Sequence, residues 1–293
     1  MAQILLIGAT GQVGQELQRT LAPLGEVLLI GRSAVDFSQP HAVQQLVETL
    51  NPGMIVNAAA YTAVDKAEGE SELAHLVNAT SPGLLADVAA RVGAGLIHIS
   101  TDYVFDGSHS RPYLETDATN PLGVYGASKL MGEEAIRANC PLHMIVRTAW
   151  VYGSYGKGNF VKTMLRLGAE REELRVVTDQ IGSPTWAKDL AIAIANMIPH
   201  LSPNTAGTYH YTNSGVCSWY DFAVAIFEEA SQLGFPLKIQ TVVPITTEEY
   251  PTPAKRPAFS VLSWKKTSAL LDSFPPHWRQ SLRQMLAEYQ QIQ

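Results

Sequence analysis

Four apolar residues, Ile4-Leu5-Leu6-Ile7, run straight into Gly8-Ala9-Thr10-Gly11-Gln12-Val13-Gly14. The run is short and uninterrupted, as a buried strand is. The stretch behind it places Val13, Leu17 and Leu21 at four-residue spacing, which predicts a helix. Between the two, glycines spaced G-x-x-G-x-x-G permit a tight turn and a close approach of backbone to a bound group. The helix start adds free N–H groups and a positive dipole end, which suit a pyrophosphate. A glycine triplet alone is weak; its strand–turn–helix setting makes it a dinucleotide signature. Gly8, Thr10, Gly11, Gln12 and Val13 are therefore cofactor-binding candidates.

The alternation continues. Val27–Ile30, Met54–Asn57, Gly95–Ser100 and His143–Arg147 read as strands. His41–Leu50, behind Ser38-Gln39-Pro40, reads as a helix with proline in its first turn, and Leu84–Val92 and Ser128–Asn139 as two more. Strands that are apolar throughout and alternate with helices predict a parallel sheet covered on both faces. Right-handed crossovers make it a Rossmann-like, doubly wound α/β sheet. Beyond residue 150 Gly and Pro become frequent and the alternation loosens, although Asp189–Ile198 and Trp219–Leu233 remain helical in pattern. We expect residues 1–150, with a returning segment near 186–212, to form the dinucleotide domain. Residues 151–185 and 213–293 then form a smaller, irregular α/β substrate-binding lobe at the sheet's C-terminal edge. Ligands of such sheets bind outside the carboxyl ends of the strands, so that lobe would be the second wall of a cleft.

The second strand ends Ile30-Gly31-Arg32-Ser33, without the acid that would accept a 2′-hydroxyl. Arg32 suits a 2′-phosphate, and Asp36 and Phe37 are placed to flank an adenine. NADPH is thus favoured, with NADH left open. After the third strand, Ala58, Ala59, Ala60 and Tyr61 form a run whose small residues let backbone pass close to a dinucleotide; tight packing alone is the plainer reading. If Tyr125-Gly126-Ala127-Ser128-Lys129 is helical, its four-residue spacing puts a phenol and an ammonium on one face. The ammonium is expected to lower a phenol pKa that is otherwise near 10. Tyr125 can then exchange a proton with a carbonyl oxygen, and Lys129 can also hold the cofactor ribose. Ser100 and Thr101 end the fourth strand where a ligand should sit. One of these hydroxyls can position the substrate oxygen; satisfying strand-end backbone is the alternative for either. Ser100 is counted with the cofactor side and Thr101 with the catalytic group.

The glycine motif, the strand-end hydroxyls and Tyr-x-x-x-Lys, in that order, resemble the extended short-chain dehydrogenase/reductase family. Asn57 through Glu68, Ser100-Thr101-Asp102-Tyr103-Val104-Phe105, Arg147 through Tyr152, and Pro251 through Pro257 resemble, more narrowly, the dTDP-4-dehydrorhamnose reductases. That resemblance spans almost the whole chain. It implies NADPH-dependent reduction of the C4 ketone of dTDP-4-dehydro-6-deoxy-L-mannose, with Tyr125 as proton donor, Lys129 tuning it and Thr101 placing the oxygen. It further implies a sugar pocket walled by Thr62, Val64, Asp102, Tyr103, Phe105 and Trp150, with Arg256 on the nucleotide pyrophosphate. For Phe105 and Trp150 a purely structural place in the core stays open. Some relatives bridge two subunits through a metal held by acids. Glu16 matches one such position, but Lys188 in Trp186-Ala187-Lys188-Asp189 stands where an acid would be wanted, and a hard cation needs oxygen ligands. We therefore expect no structural metal, Glu16 as a solvated helix residue, and a monomer or a differently joined homodimer. Glu133 and Glu134 likewise read as a solvated helix face.

Two other functions fit parts of this pattern. A reductase giving another deoxysugar, such as the C4 epimer, would use the same site. A regulatory subunit resembling methionine adenosyltransferase β would bind a partner enzyme and leave the site silent; the complete Thr101, Tyr125 and Lys129 set favours an enzyme. The net charge of −6 argues against a nucleic-acid binder, and eight histidines without a helical pair argue against a metal hydrolase. Cys140 and Cys217, the two cysteines, read as buried and reduced. No targeting or membrane segment is recognised, so a cytoplasmic location is expected.

Overall fold

The computed structural model describes residues 3–31 and 33–292. Its strands are β1 (Ile4–Ile7), β2 (Val27–Ile30), β3 (Met54–Asn57), β4 (Gly95–Thr101), β5 (His143–Thr148), β6 (Val151–Tyr152), β7 (Glu173–Val177), β8 (Ile181–Gly182), β9 (Thr185–Trp186), β10 (Gly207–His210), β11 (Cys217–Ser218) and β12 (Thr241–Ile245). Its α-helices are α1 (Gln12–Leu21), α2 (Pro40–Leu50), α3 (Val64–Ala67), α4 (Ser71–His75), α5 (Ser81–Val92), α6 (Val124–Asn139), α7 (Phe160–Glu170), α8 (Ala187–Met197), α9 (Trp219–Gln232), α10 (Lys265–Leu271) and α11 (Trp278–Gln291).

The main sheet has the order β10-β5-β4-β3-β1-β2, and every neighbouring pair is parallel. Because β1 lies between β2 and β3, the winding reverses there and opens a crevice at the carboxyl ends. The strands are apolar because both of their faces are covered. Ile4 and Leu6 of β1 join Leu17, Leu21, Leu190 and Ile194 under α1 and α8. The alternate residues Leu5 and Ile7 join Val43, Val47, Leu85 and Ile136 under α2, α5 and α6. A third apolar cluster lies outside the sheet, where Tyr152, Val161, Trp186, Phe222, Ile226, Trp278 and Leu282 meet. Helix α9, one wall of this cluster, begins with a capping box between Ser218 and Asp221. Both cysteines are buried and free.

Several boundaries move outward from the expected ones. Strands β4 and β5 each carry one more residue. Helix α5 starts at Ser81, directly after a π-helical turn over Leu76–Thr80. Helix α6 starts at Val124, so Tyr125 lies in its first turn and not ahead of it. Pro40 occupies the first turn of α2, with Gln39 at its cap.

Candidate active site

The turn after β1 is built around two glycines that accept no substitute. Gly8 has φ +79°, and a Cβ there would stand 2.6 Å from the Ala59 nitrogen. A Cβ on Gly14 would collide with the Gly8 carbonyl. Backbone of the first and third strand ends thus passes in contact. These segments line a cleft of about 460 Å³ together with Thr10, Gly11, Asp36, Phe37 and Tyr61. Asn78 holds Tyr61 in place, accepting from its N–H at 2.9 Å and donating to its carbonyl at 3.0 Å. Arg32 lies outside the described residues.

A second cavity of about 510 Å³ shares Gly11, Ala58 and Ala60 with the first, so the two form one groove around the glycine turn. Its wall holds Gln12, Val13, Thr62, Val64, Ser100, Thr101, Asp102, Tyr103, Tyr125, Lys129 and Trp150. Strand β4 brings Ser100 and Thr101; the four-residue spacing on α6 brings Tyr125 and Lys129. The Thr101 hydroxyl donates to Asp102 Oδ1 at 3.0 Å and accepts from the Tyr103 N–H at 3.2 Å. Tyr103 meets Tyr125 edge-on, with ring centroids 5.5 Å apart.

The electrostatics of this wall differ from the expectation. Burial pushes the Tyr125 phenol up to about 12, opposed by the Thr101 hydrogen bond and reinforced by Asp102. The lysine does not lower it. Lys129 Nζ turns away, donating to the Ile99 carbonyl at 2.7 Å and meeting His98 Nε2 at 3.1 Å. Burial pushes Lys129 down to about 8, with the Glu133 carboxylate acting against it. Asp102 is pushed up to about 6, again by burial, against hydrogen bonds from Ser260 and Thr101. Desolvation outweighs pairing at all three groups, and the phenol stays protonated, as a proton donor must.

Three expected placements need correction. Glu133 is no solvated residue: it is fully buried, bound by Arg147 through 2.6 and 2.9 Å contacts and by Ser100 at 2.6 Å. Its partner comes from the neighbouring strand β5, which helix spacing does not reveal. Phe105 is not on the pocket wall. The 3-10 turn Asp102–Val104 carries it into a separate cluster, stacked on Tyr113 at 4.1 Å beside Val104 and Leu262. Glu16 is buried, and its Oε1 has no partner. Burial pushes it up to about 7, reinforced by Glu288, while Lys188 and Arg19 pull it down.

That last cluster also tests the metal. Lys188 Nζ bridges to Glu288 Oε2 at 2.7 Å, occupying the acidic side with an ammonium. A divalent cation would have to displace it, so these residues do not fit one. Among the described residues no group of three or more His, Cys, Asp or Glu could hold a metal ion.

Trp150 sits at the far end of the groove in a left-handed conformation, φ +48°, stacked on Trp219 at 3.6 Å. Trp219 also lines a third cavity of about 720 Å³, which holds Arg256. Arg256 grips Asp65 at 2.8 and 3.1 Å and Thr252 at 2.5 Å, at the edge of that third cavity. Trp219 escaped the sequence reading because nothing local marks it; its position opposite Trp150 is set by α9. His98 and Arg147 left a signal, a basic residue inside an otherwise apolar strand, which demands a buried partner.

A parallel doubly wound sheet, a glycine turn after β1 and a Thr101–Tyr125–Lys129 wall beside it define an extended short-chain dehydrogenase/reductase. The model of the RmlD substrate binding domain family matches residues 1–291. The dTDP-4-dehydrorhamnose reductase of Escherichia coli K12 is 50% identical over 292 residues, covering 97% of each chain. The crystal structure of a dTDP-4-dehydrorhamnose reductase from Clostridium acetobutylicum superimposes with TM-score 0.90 at 42% identity, over 98% of this chain and 99% of the other. The Bacillus anthracis enzyme, solved in complex with NADP, does so with TM-score 0.89 at 41% identity and the same coverage. The chain belongs to the dTDP-4-dehydrorhamnose reductase family.

Proposed function

We propose that this protein reduces the C4 ketone of dTDP-4-dehydro-6-deoxy-L-mannose to dTDP-L-rhamnose with NADPH. The reading rests most on one observation: Thr101, Tyr125 and Lys129 share the wall of a groove that continues around the glycine turn. The first cavity suits a dinucleotide, because the glycine turn after β1 and the small residues Ala58, Ala59 and Ala60 line it together. Gly8, Thr10, Gly11, Gln12, Val13, Ala58, Ala59, Ala60 and Tyr61 would hold it, with Asp36 and Phe37 at the adenosine end. The NADP complex of the Bacillus anthracis relative supports the phosphorylated form. When bound, the cofactor supplies the hydride.

The chain's own residues do the rest. Thr101 and Tyr125 bind the ketone oxygen, Thr101 through its hydroxyl and Tyr125 through a phenol held protonated by burial. As the oxygen gains charge, Tyr125 gives it the proton. Ser100, turned to Glu133, positions the strand end and not the ligand. Thr62, Val64, Asp102, Tyr103 and Trp150 shape the sugar pocket. Arg256, which lines the third cavity with Trp219 and pairs with Asp65, is the candidate partner for the nucleotide pyrophosphate. Residues 151–185 and 213–293 form the substrate lobe in this reading. We take the protein to be cytoplasmic, and a monomer or a homodimer that needs no metal bridge. Among the described residues no helix is long and apolar enough to cross a membrane.

The test follows NADPH absorbance with the ketosugar generated in situ, with product identified by NMR. dTDP-L-rhamnose from the wild type, and a rate about 100-fold or more lower in Tyr125→Phe, is the expected result. A 6-deoxy-L-talose product would reassign the stereochemistry, and no oxidation by a folded, cofactor-binding protein would reject the substrate.

A further inference from the structure

Helix α6, which carries Tyr125 and Lys129, begins at a residue that has no side chain to cap it. Gly123 stands at the N-cap in extended conformation, φ −148° and ψ 174°. Its carbonyl accepts the first helical bond, from the Ala127 N–H at 3.0 Å. The amides of the first turn need acceptors from elsewhere. One comes from far along the chain: Glu68 Oε1 accepts from the Val124 N–H at 2.9 Å. A carboxylate at this end also meets the positive pole of the helix. A Cβ on Gly123 would stand 2.6 Å from Glu68 Oε1, so a side chain there would displace the carboxylate.

Glu68 lies at the C-terminal end of α3. Asp65, three residues earlier, is its neighbour on one face of this short turn. Asp65 is held from the other side of the groove: Arg256 donates to it at 2.8 and 3.1 Å, and the Ala254 N–H at 3.3 Å. Val64, which opens α3, and Thr62 just before it line the groove. The stretch from Thr62 to Glu68 thus joins the sugar wall, the Arg256 segment and the start of α6.

Tyr125 sits in the turn that this cap secures. Gly126 is pressed on the 3-10 turn that follows Thr101, where a Cβ would stand 2.2 Å from the Tyr103 carbonyl. Ser128 Oγ donates to the Tyr125 carbonyl at 2.8 Å. How this turn is seated therefore sets how the Tyr125 phenol stands to the Thr101 hydroxyl. We infer that Glu68 is a positioning residue for the reduction: it supplies to α6 the cap that Gly123 lacks, and so seats Tyr125 beside Thr101. This rests on the proposed role of Tyr125 as proton donor. Glu68 lines none of the three cavities described above. The carboxylate that bears on the Tyr125 phenol is Asp102. Glu68 acts through the helix backbone and not on a ligand.

Glu68 is exposed, so its removal opens no core. The first arm of the test reads amide hydrogen exchange of ligand-free protein. In Glu68→Ala the start of α6 should exchange about fivefold faster, the equivalent of one lost cap. Glu68→Gln, which keeps an acceptor oxygen, should stay near the wild type. This arm needs no substrate, so it is read apart from the assigned reaction. The second arm measures kcat with the ketosugar and NADPH affinity by fluorescence. In Glu68→Ala kcat should fall about tenfold, with the NADPH dissociation constant within about twofold of the wild type. The third arm is a suppressor. Gly123→Ser in the Glu68→Ala background puts a hydroxyl where the carboxylate has left room, at backbone angles that suit a serine cap. Most of the lost kcat and of the lost protection should return. Faster exchange with unchanged kcat would make Glu68 a structural cap alone. A lower kcat without faster exchange, one that serine does not restore, or one matched by lost NADPH affinity would place its action elsewhere. Each of these overturns the proposal. A wild type that reduces no ketosugar would reject the assigned reaction, and this role with it, before any variant is compared.

Discussion

Glu133 and Glu16 are both helical carboxylates that the fold buries, and it treats them in opposite ways. At Glu133 burial alone would raise the pKa, but the hydrogen bonds and charge of Arg147 win, aided by Ser100 and Arg137, and hold it below the usual range. At Glu16 burial meets no such answer. Its Oε1 is unpartnered, Glu288 adds a second negative charge, and the opposing Lys188 and Arg19 act only at a distance. The difference teaches that burial sets the cost and partner geometry decides who bears it. A two-pronged guanidinium keeps a carboxylate ionised in the core; a lysine engaged elsewhere leaves it near protonation.

Breaking the satisfied pair should have the largest effect. Arg147→Met leaves the buried Glu133 with only the half-exposed Arg137 and the Ser100 hydroxyl to answer its charge, which costs about 3 kcal/mol. Urea unfolding should show a lower midpoint with an unchanged slope. The same substitution loosens Ser100, and with it the end of β4 that carries Thr101. A loss under about 1 kcal/mol would mean that Arg147 contributes no more than a surface pair does.

The comparison sharpens at Glu16, where pH is the lever. Its folded pKa, about 7, lies above the ordinary value of 4.5, so the native state keeps a proton that the unfolded chain has released. Stability from this group is therefore complete below the unfolded value and is lost as pH rises through about 7. The loss above that point amounts to up to about 3 kcal/mol. Glu16→Gln keeps the shape and removes the titration. It should match the wild type near pH 4 and exceed it by up to about 3 kcal/mol near pH 8 in denaturant midpoints. A constant difference across that range would show that Glu16 keeps its ordinary pKa.

How much of this was legible follows from the same contrast. Five strands of the main sheet could be read because a strand covered on both faces must be apolar throughout, whereas the edge strand β10, Gly-Thr-Tyr-His, carries no such run; the turn after β1 could be read because Gly8 and Gly14 tolerate no Cβ. The groove end built from backbone was therefore plain. The pairings were not, because a partner across the sheet lies at no fixed spacing. Arg147 reaches Glu133 only through the β4–β5 register, and Trp219 reaches Trp150 only through the placing of α9. Phe105, set on the pocket wall by the resemblance alone, is carried by the 3-10 turn into the core place that had stayed open for it. Lys129 was placed on the right face, but burial of the phenol, with Lys129 Nζ directed to the Ile99 carbonyl and His98, reversed the charge argument built on it.

The smallest expected effect turns on which charge faces Glu16. Lys188 neutralises one oxygen of Glu288 and is itself more than a third exposed, so its pair is worth about 1 kcal/mol or less. Replacing it by Lys188→Glu should therefore cost little more than that pair plus the repulsion among three carboxylates. The substitution changes the chemistry more than the stability. Glu16, Glu288 and the carboxylate introduced between them would offer oxygen ligands alone, the donor set a hard divalent cation requires. Millimolar Mg²⁺ or Ca²⁺ should then raise the melting temperature of Lys188→Glu by a few degrees, about 1 kcal/mol through linkage, and leave the wild type unmoved. An equal rise in both would show that the ammonium does not exclude the cation. No rise in either would place the carboxylates too far apart to share one, and the preference for an internal ammonium would then be a matter of distance and not of charge.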